Sequence, residues 1–302
     1  MFTKPRTDPP DLRIWQALDA RMDLTAEDRV YFKNLVKGIE GERRFDDWLR
    51  ELPPDYLVLN DLLIETNQSV LQFDSLVIAG DKVLLFEVKS FEGDYYVDGD
   101  QWYSMTGTGL RNPLHQLDRS KSLLTRFLKK EHVSFTVEAY LVFVHPAFVL
   151  YEASRQTPIV FPGQLPRFFQ RLQQSSVVLG RKQHQLAERL MSKHLSESPY
   201  RRQPSYTYED LQKGICCETC SAFLQVEQVK FLTCPVCRSR IPTAIGILQS
   251  VKEFQLLFPD RKITTLQIHD WIGKIVSTKA VRISLTKEYT QIGHGRGTYY
   301  RK

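Results

Sequence analysis

The stretch LQFDSLVIAGDKVLLFEVKS, residues 71–90, constrains this chain more than any other segment. Apolar residues flank Gly80-Asp81, a Gly-X pair suited to a type II′ hairpin turn. Antiparallel pairing about that turn sets Ala79 opposite Lys82, Leu76 opposite Leu85 and Asp74 opposite Glu87, with directly paired Cβ atoms about 5 Å apart. Strand alternation puts Asp74, Leu76 and Ile78 on the face that carries Val83, Leu85, Glu87 and Lys89. Two carboxylates facing each other on a half-apolar surface repel and resist burial unless something compensates them. A divalent cation between them turns repulsion into coordination, and oxygen-only ligands favour Mg²⁺ or Mn²⁺ over zinc. Lys89 could polarise a metal-bound water or stabilise charge on a phosphate. The plainer alternative sets one carboxylate in solvent at a sheet edge, with Lys89 neutralising the other.

The segment LTAEDRVYFKNLVKGIEGERRFDDWLREL reads as one long helix, with Thr25 as N-cap and Asp28 in the capping-box position. Pro53-Pro54 ends it. Its apolar stripe runs Leu35, Ile39, Phe45, Leu49, and Glu42 falls inside that stripe as a third acid aimed at the core. The alternative is a side chain that snorkels at the stripe's margin. Gly38 and Gly41 each weaken a helix by about 1 kcal/mol relative to alanine, which fits a helix packed closely on a sheet. Strands are expected at Tyr56–Glu65, Val70–Ile78, Lys82–Ser90 and in TVEAYLVFVHP. Helices are expected from about Pro113 to Lys130, near Leu165–Gln173 and over Lys182–Leu195.

GIEGE (38–42), QFDSLVI (72–78), LFEVKS (85–90) and NPLHQLDRSK (112–121) together resemble the nuclease-related domain, NERD, which is similar to the PD-(D/E)XK restriction-endonuclease-like nucleases. The resemblance covers residues 34–150. It implies an α/β fold with a mixed sheet flanked by helices, and metal-dependent hydrolysis of phosphodiesters. Asp74 and Glu87 would bind the metal, Lys89 would assist the attacking water, Glu42 would be the helix acid, and Gln116 would line the site from the next helix. The strict proline-aspartate pair is absent, because Phe73 precedes Asp74.

Five cysteines all fall between Cys216 and Cys237, which argues against a secreted disulfide framework. Cys217-x2-Cys220 and Cys234-x2-Cys237 form two knuckles of zinc-ribbon spacing. Four thiolates fill a tetrahedral shell, so the Zn²⁺ would be structural. A redox pair is the competing reading. Cys216 could replace Cys217 with one more residue in its loop, and is taken as a bystander.

Beyond Ile245 come ten Lys/Arg and four Asp/Glu, which accounts for the whole formal +6 of the chain. A polyanionic partner follows from that excess. ILQSVKEFQLLFP, TTLQIHDWIG and STKAVRISLTKE read as three helices, the last two capped by Thr264 and Ser277, and YTQIGHGRGTYYRK as a hairpin. This order resembles a winged helix-turn-helix. The third helix would enter a DNA groove with Thr278, Lys279 and Arg282, and Arg296 at the wing tip would reach a phosphate or the minor groove. The alternative is a small helical bundle with solvated basic residues.

At 302 residues, 42% hydrophobic and 25% charged, the composition is ordinary for a soluble globular protein. No segment approaches a membrane span and the N-terminus has no apolar leader, so a cytoplasmic location is expected. The expected organisation is a lead-in over 1–23, a nuclease-like domain over 24–195, a linker over 196–210, a zinc ribbon over 211–244 and a winged-helix-like domain over 245–302. The function that follows is a metal-dependent nuclease acting on DNA, targeted by its C-terminal modules. The rivals are a DNA-binding regulator that does not cleave, and a protein-interaction scaffold.

Overall fold

The computed structural model describes residues 2–66, 69–175, 177–195, 202, 204–228 and 230–302. Residues 196–201 and 203 of the expected linker lie outside that set. The chain divides into two compact units, Met1–Thr7 with Lys33–Arg201, and Asp8–Phe32 with Arg202–Lys302.

In chain order, helices α1 (Pro10–Arg21) and α2 (Ala26–Arg50) precede strands β1 (Leu57–Thr66), β2 (Ser69–Ala79) and β3 (Lys82–Lys89). Strands β4 (Gly93–Asp98), β5 (Gln101–Ser104) and β6 (Gly109–Leu110) lead into α3 (Pro113–Lys130). Strands β7 (Thr136–Phe143), β8 (Phe148–Tyr151) and β9 (Ile159–Val160) come next, then α4 (Leu165–Gln174) and α5 (Arg181–Ser192). The C-terminal part holds β10 (Gln225–Gln228), β11 (Phe231–Thr233), β12 (Arg240–Pro242), α6 (Thr243–Leu257), α7 (Thr265–Trp271), α8 (Thr278–Glu288), β13 (Thr290–Ile292) and β14 (Tyr299–Arg301).

The larger unit is built on a mixed five-stranded sheet in the order β1-β2-β3-β7-β9, flanked by helices. The two hairpin pairings are antiparallel, and β7 joins β3 in parallel after the crossover through α3. Alternation gives the sheet two apolar faces. Leu76, Ile78, Val83 and Leu85 pack with Leu117 and Leu124 of α3 and with Leu186 and Leu190 of α5. Val77, Leu84, Phe86 and Val88 pack with Phe45 and Leu49 of α2 and with Phe169 of α4. Both faces are covered, and β3 is buried at every position from Val83 to Val88, as a central strand of such a sheet must be. A second sheet, β6-β5-β4-β8, lies beside the first face and inserts Trp102 against Phe143.

Thr25 caps α2 as expected, its Oγ1 accepting from the Asp28 N–H at 3.1 Å and donating to the Asp28 carboxylate at 2.8 Å. The close-packing reading of the two glycines holds for one of them. A Cβ at Gly41 would stand 2.6 Å from the Ser90 Cβ and 3.3 Å from Val144, whereas one at Gly38 would meet nothing within 4 Å. We expect Gly41→Ala to destabilise this unit by about 1–2 kcal/mol, because overpacking outweighs the helix-propensity gain. Gly38→Ala should raise stability by up to about 1 kcal/mol in the same urea titrations. Equal effects at the two sites would refute the close-approach argument.

Residues 1–23, read from sequence as a polar lead-in, contain the helix α1, with Trp15 and Leu18 fully buried. Leu12, Trp15 and Leu18 recur at three-residue spacing, a stripe too short to stand out among flanking prolines and charges. In the smaller unit, β10-β11-β12 form a three-stranded antiparallel sheet around the cysteines. Helices α6, α7 and α8 follow in the expected order, Thr264 and Ser277 accepting from the N–H groups of Gln267 and Ala280 at 3.1 and 3.3 Å. Gly273 stops α7 with φ +69°, a conformation that favours glycine. The chain then closes in the β13–β14 hairpin, and a single bridge joins Tyr300 to Ile263. Among the described residues, no helix is long and apolar enough to cross a membrane.

Candidate functional site

Register decides which side chains meet at the open end of the β2–β3 hairpin. The pairing runs as expected from Ala79–Lys82 through Leu76–Leu85 to Ser75–Phe86, and the backbone ladder stops there. Asp74 is therefore not backbone-paired with Glu87. Its carboxylate accepts a 2.8 Å hydrogen bond from the Val88 N–H in place of the missing rung. Asp74 and Glu87 are 8% and 2% exposed, deep for two acids. Lys89, two residues beyond Glu87 on the same face, donates to Glu87 Oε1 at 2.7 Å and to Gln116 Oε1 at 3.1 Å. Gln116 reaches this point from the first turn of α3, which Asn112 caps by accepting from the Leu114 N–H. The structure thus brings Asp74, Glu87, Lys89 and Gln116 together at the C-terminal end of a parallel strand, where open α/β sheets place their sites.

Glu42 joins this cluster from α2. Helix α2 packs on the sheet face that carries Val77, Leu84 and Phe86, and the Asp74 charge acts on its Glu42. It is half-buried and bonded at 2.5 Å to Arg6, a residue the sequence reading passed over. The Arg6 guanidinium also donates to both oxygens of Asp46 at 3.1 and 3.3 Å, to the Asp74 carbonyl at 2.8 Å and to Ser75 Oγ at 3.4 Å. Asp46 accepts in turn from Asn60. The signal for Asp46 was available, since it stands four residues beyond Glu42 on the same helix face. Nothing local to Arg6 predicts its partners.

Burial raises the acidic pKa values across this cluster. Desolvation, reinforced by the Asp74 charge and opposed by Lys89, lifts Glu87 to about 7. Desolvation and the Asp74 charge lift Glu42 to about 8 against the pull of Arg6. Asp74 is raised by burial despite Lys89 and the Val88 N–H, and Asp46 is raised by burial despite Arg6. Four carboxylates thus face the two cations Arg6 and Lys89, a surplus of two negative charges when all are ionised. Nearby, Lys4 and Asp61 interact and offset each other. A surplus of that sign attracts cations, and carboxylate oxygens are the ligands that Mg²⁺ and Mn²⁺ prefer.

A stability prediction follows from the sign of these shifts. In the metal-free fold Glu42 and Glu87 bind protons more tightly than in the unfolded chain, so stability falls as pH rises from about 5 to about 8. Added Mn²⁺ should stabilise most at the upper end of that range, where the carboxylates are ionised. Thermal melts with and without Mn²⁺ at pH 5.5 and 8 check this. A Mn²⁺ stabilisation that grows toward acid pH would contradict it.

The second cluster lies in the smaller unit. Cys217, Cys220, Cys234 and Cys237 bring their sulfurs within 4.8 Å of one another, with Cys217–Cys237 at 3.6 Å and Cys220–Cys234 at 3.3 Å. Tetrahedral zinc at about 2.3 Å from each sulfur places sulfurs about 3.8 Å apart, so the four cysteines can hold that ion. Burial pushes the Cys216 thiol up to about 12, far from a thiolate, which separates it from Cys217. Among the described residues, this is the one group of three or more ligands that meets the 4.8 Å spacing.

On α8, Thr278, Lys279 and Arg282 are exposed, opposite the buried Val281 and Leu285. Arg296 sits in a one-turn 3-10 segment, Gly295–Gly297, between the hairpin strands, and its side chain lies outside the described residues.

Residues 37–145 match the family described as nuclease-related domain, NERD. No curated protein matches the chain, and no solved structure does. The matched segment runs from α2 through the hairpin and α3 to the end of β7, and includes Glu42, Asp74, Glu87, Lys89 and Gln116.

Proposed function

We propose that the larger unit hydrolyses phosphodiester bonds of DNA with the help of Mg²⁺ or Mn²⁺. The observation that carries this reading is the meeting of Asp74, Glu87, Lys89 and Gln116 inside the segment that matches a nuclease-related domain. Asp74 and Glu87 would hold the cation, which when bound supplies positive charge to the scissile phosphate. The Val88 N–H fixes the Asp74 carboxylate, so that ligand is already oriented before substrate arrives. Lys89, partly exposed and bridging Glu87 and Gln116, is placed to donate to a phosphate oxygen or to align the attacking water. Gln116 sets the position of Lys89 and offers its own amide to the same water or phosphate.

The smaller unit is the targeting part of this reading. The four cysteines hold a structural Zn²⁺, and α6–α8 with the β13–β14 hairpin act as a winged helix-turn-helix that binds DNA. Thr278 and Lys279 at the start of α8, with Arg282 one turn on and Arg296 at the wing, would contact the duplex. Supercoiled plasmid incubated with wild type and Asp74→Asn, in Mn²⁺ and in chelator, tests the proposal. Cutting by wild type alone and only with metal supports it; equal negligible cutting by both overturns it. The basic excess beyond Ile245 favours a second reading, a DNA-binding protein that does not cleave. Salt-sensitive retention on DNA without cutting would select that reading.

A further inference from the structure

We propose that Arg6 is a built-in cation of the candidate metal site, occupying an oxygen nest that would otherwise take a second divalent ion. The inference rests on the metal-site reading above. Five hydrogen bonds converge on one guanidinium from Glu42 Oε2, both Asp46 oxygens, the Asp74 carbonyl and Ser75 Oγ. Every partner is an oxygen, the donor set that Mg²⁺ and Mn²⁺ prefer. Arg6 is 6% exposed at its side chain, and Asp46 and Ser75 are almost fully buried, so bulk water does not compete for these contacts.

The backbone delivers Arg6 to the nest deliberately. Thr3 and Lys4 donate from their N–H groups to the Val58 carbonyl, and the Asn60 N–H donates to the Lys4 carbonyl, so the N-terminal segment adds to the edge of β1. Lys4 Nζ anchors the same segment by donating to the Asn60 and Asp61 carbonyls. Arg6 follows two residues later and crosses to the acids of α2. Because its hydrogen bond reaches the carbonyl of Asp74, the guanidinium also holds the backbone of the residue whose carboxylate accepts from the Val88 N–H.

The division of charge follows. Arg6 takes up Glu42 and Asp46, while Asp74 and Glu87 are left with Lys89 and with the one divalent ion of the proposed site. Glu42 is thereby a positioning residue, held by Arg6 rather than by metal, and the site binds a single cation. Removing the guanidinium leaves Glu42, Asp46 and the Asp74 carbonyl as a second all-oxygen site.

Mn²⁺ binding to the zinc-loaded full chain, followed by electron paramagnetic resonance and equilibrium dialysis, tests this without substrate. Wild type and Glu42→Gln should each bind one Mn²⁺ that Asp74→Asn loses. Arg6→Gln should bind two, and Arg6→Gln/Glu42→Gln should return to one. Arg6→Lys keeps the charge and should stay at one, which controls for unfolding, as does the circular-dichroism melt of each variant. Two ions in wild type with one lost in Glu42→Gln would overturn the proposal, as would a folded Arg6→Gln that still binds one. Absence of any Asp74-dependent Mn²⁺ in wild type would instead remove the metal-site reading beneath it.

Discussion

Lys89→Ala is expected to lower metal-dependent cleavage on the order of 10²–10³-fold, the range seen when one preorganised donor is removed from a developing negative charge. Its effect should appear in the turnover step. Asp74 and Glu87 retain their oxygens in the variant, so Mn²⁺ binding should persist. The residues proposed to contact DNA, on α8 and at Arg296, lie in another part of the chain, so retention on DNA should persist too. The bland role for Lys89 is neutralisation of Glu87, to which it donates at 2.7 Å. That role predicts a different pattern. Without the lysine a buried carboxylate is left unpaired, and the variant would lose stability while any cleavage per folded molecule stayed the same. Measuring cleavage, Mn²⁺ affinity and melting temperature on one preparation separates the two. A stable, metal-binding Lys89→Ala protein that cuts like wild type would remove Lys89 from the chemistry.

The largest stability effect is expected at Arg21, in the smaller unit. Its side chain is 0% exposed and makes a two-pronged pair with Glu253, Nε to Oε1 at 3.0 Å and Nη2 to Oε2 at 2.7 Å. Two more guanidinium hydrogens go to the carbonyls of Gln212 at 2.6 Å and Gly214 at 3.0 Å. The charge also lies 4.0 Å from the Trp271 ring centroid. One side chain therefore joins α1, the loop before the cysteine sheet, α6 and α7. Arg21→Ala leaves Glu253 without its partner and two carbonyls without donors, a loss of about 3–5 kcal/mol. Arg21→Lys should recover only part of it, because an ammonium cannot reproduce the planar fork. Guanidinium unfolding followed by hydrogen exchange, read for residues of this unit, measures both. A change below about 1 kcal/mol for the alanine variant would show that solvent or neighbouring groups replace the arginine.

These two residues illustrate how unevenly the molecule can be read in advance. Lys89 was legible because a strand alternates strictly and a tight turn sets register, so Gly80-Asp81 and a count along β3 were enough to place it beside Glu87. The four cysteines were legible for a similar reason, as spacing within each knuckle bounds where the thiolates can go, and they meet within 4.8 Å. Helix starts at Thr25, Thr264 and Ser277 were equally local, each decided by one hydroxyl and the next turn of backbone. Arg21 was not legible. Its charge lies in a segment that reads as polar, and its partners are about 190 residues or more away in sequence.

The sequence by itself determined the elements whose causes lie within a few residues: the hairpin register, the helix caps, the apolar faces of β3 and the pairing of the knuckles. Backbone geometry and solvent exclusion act at short range there, so composition and period suffice. Only the tertiary structure decided that the ladder ends before Asp74, that α2 covers the other face of the sheet, and that an N-terminal arginine reaches Glu42. Each of these is a choice between partners distant in the chain, settled by which buried charges can be hydrogen-bonded at once.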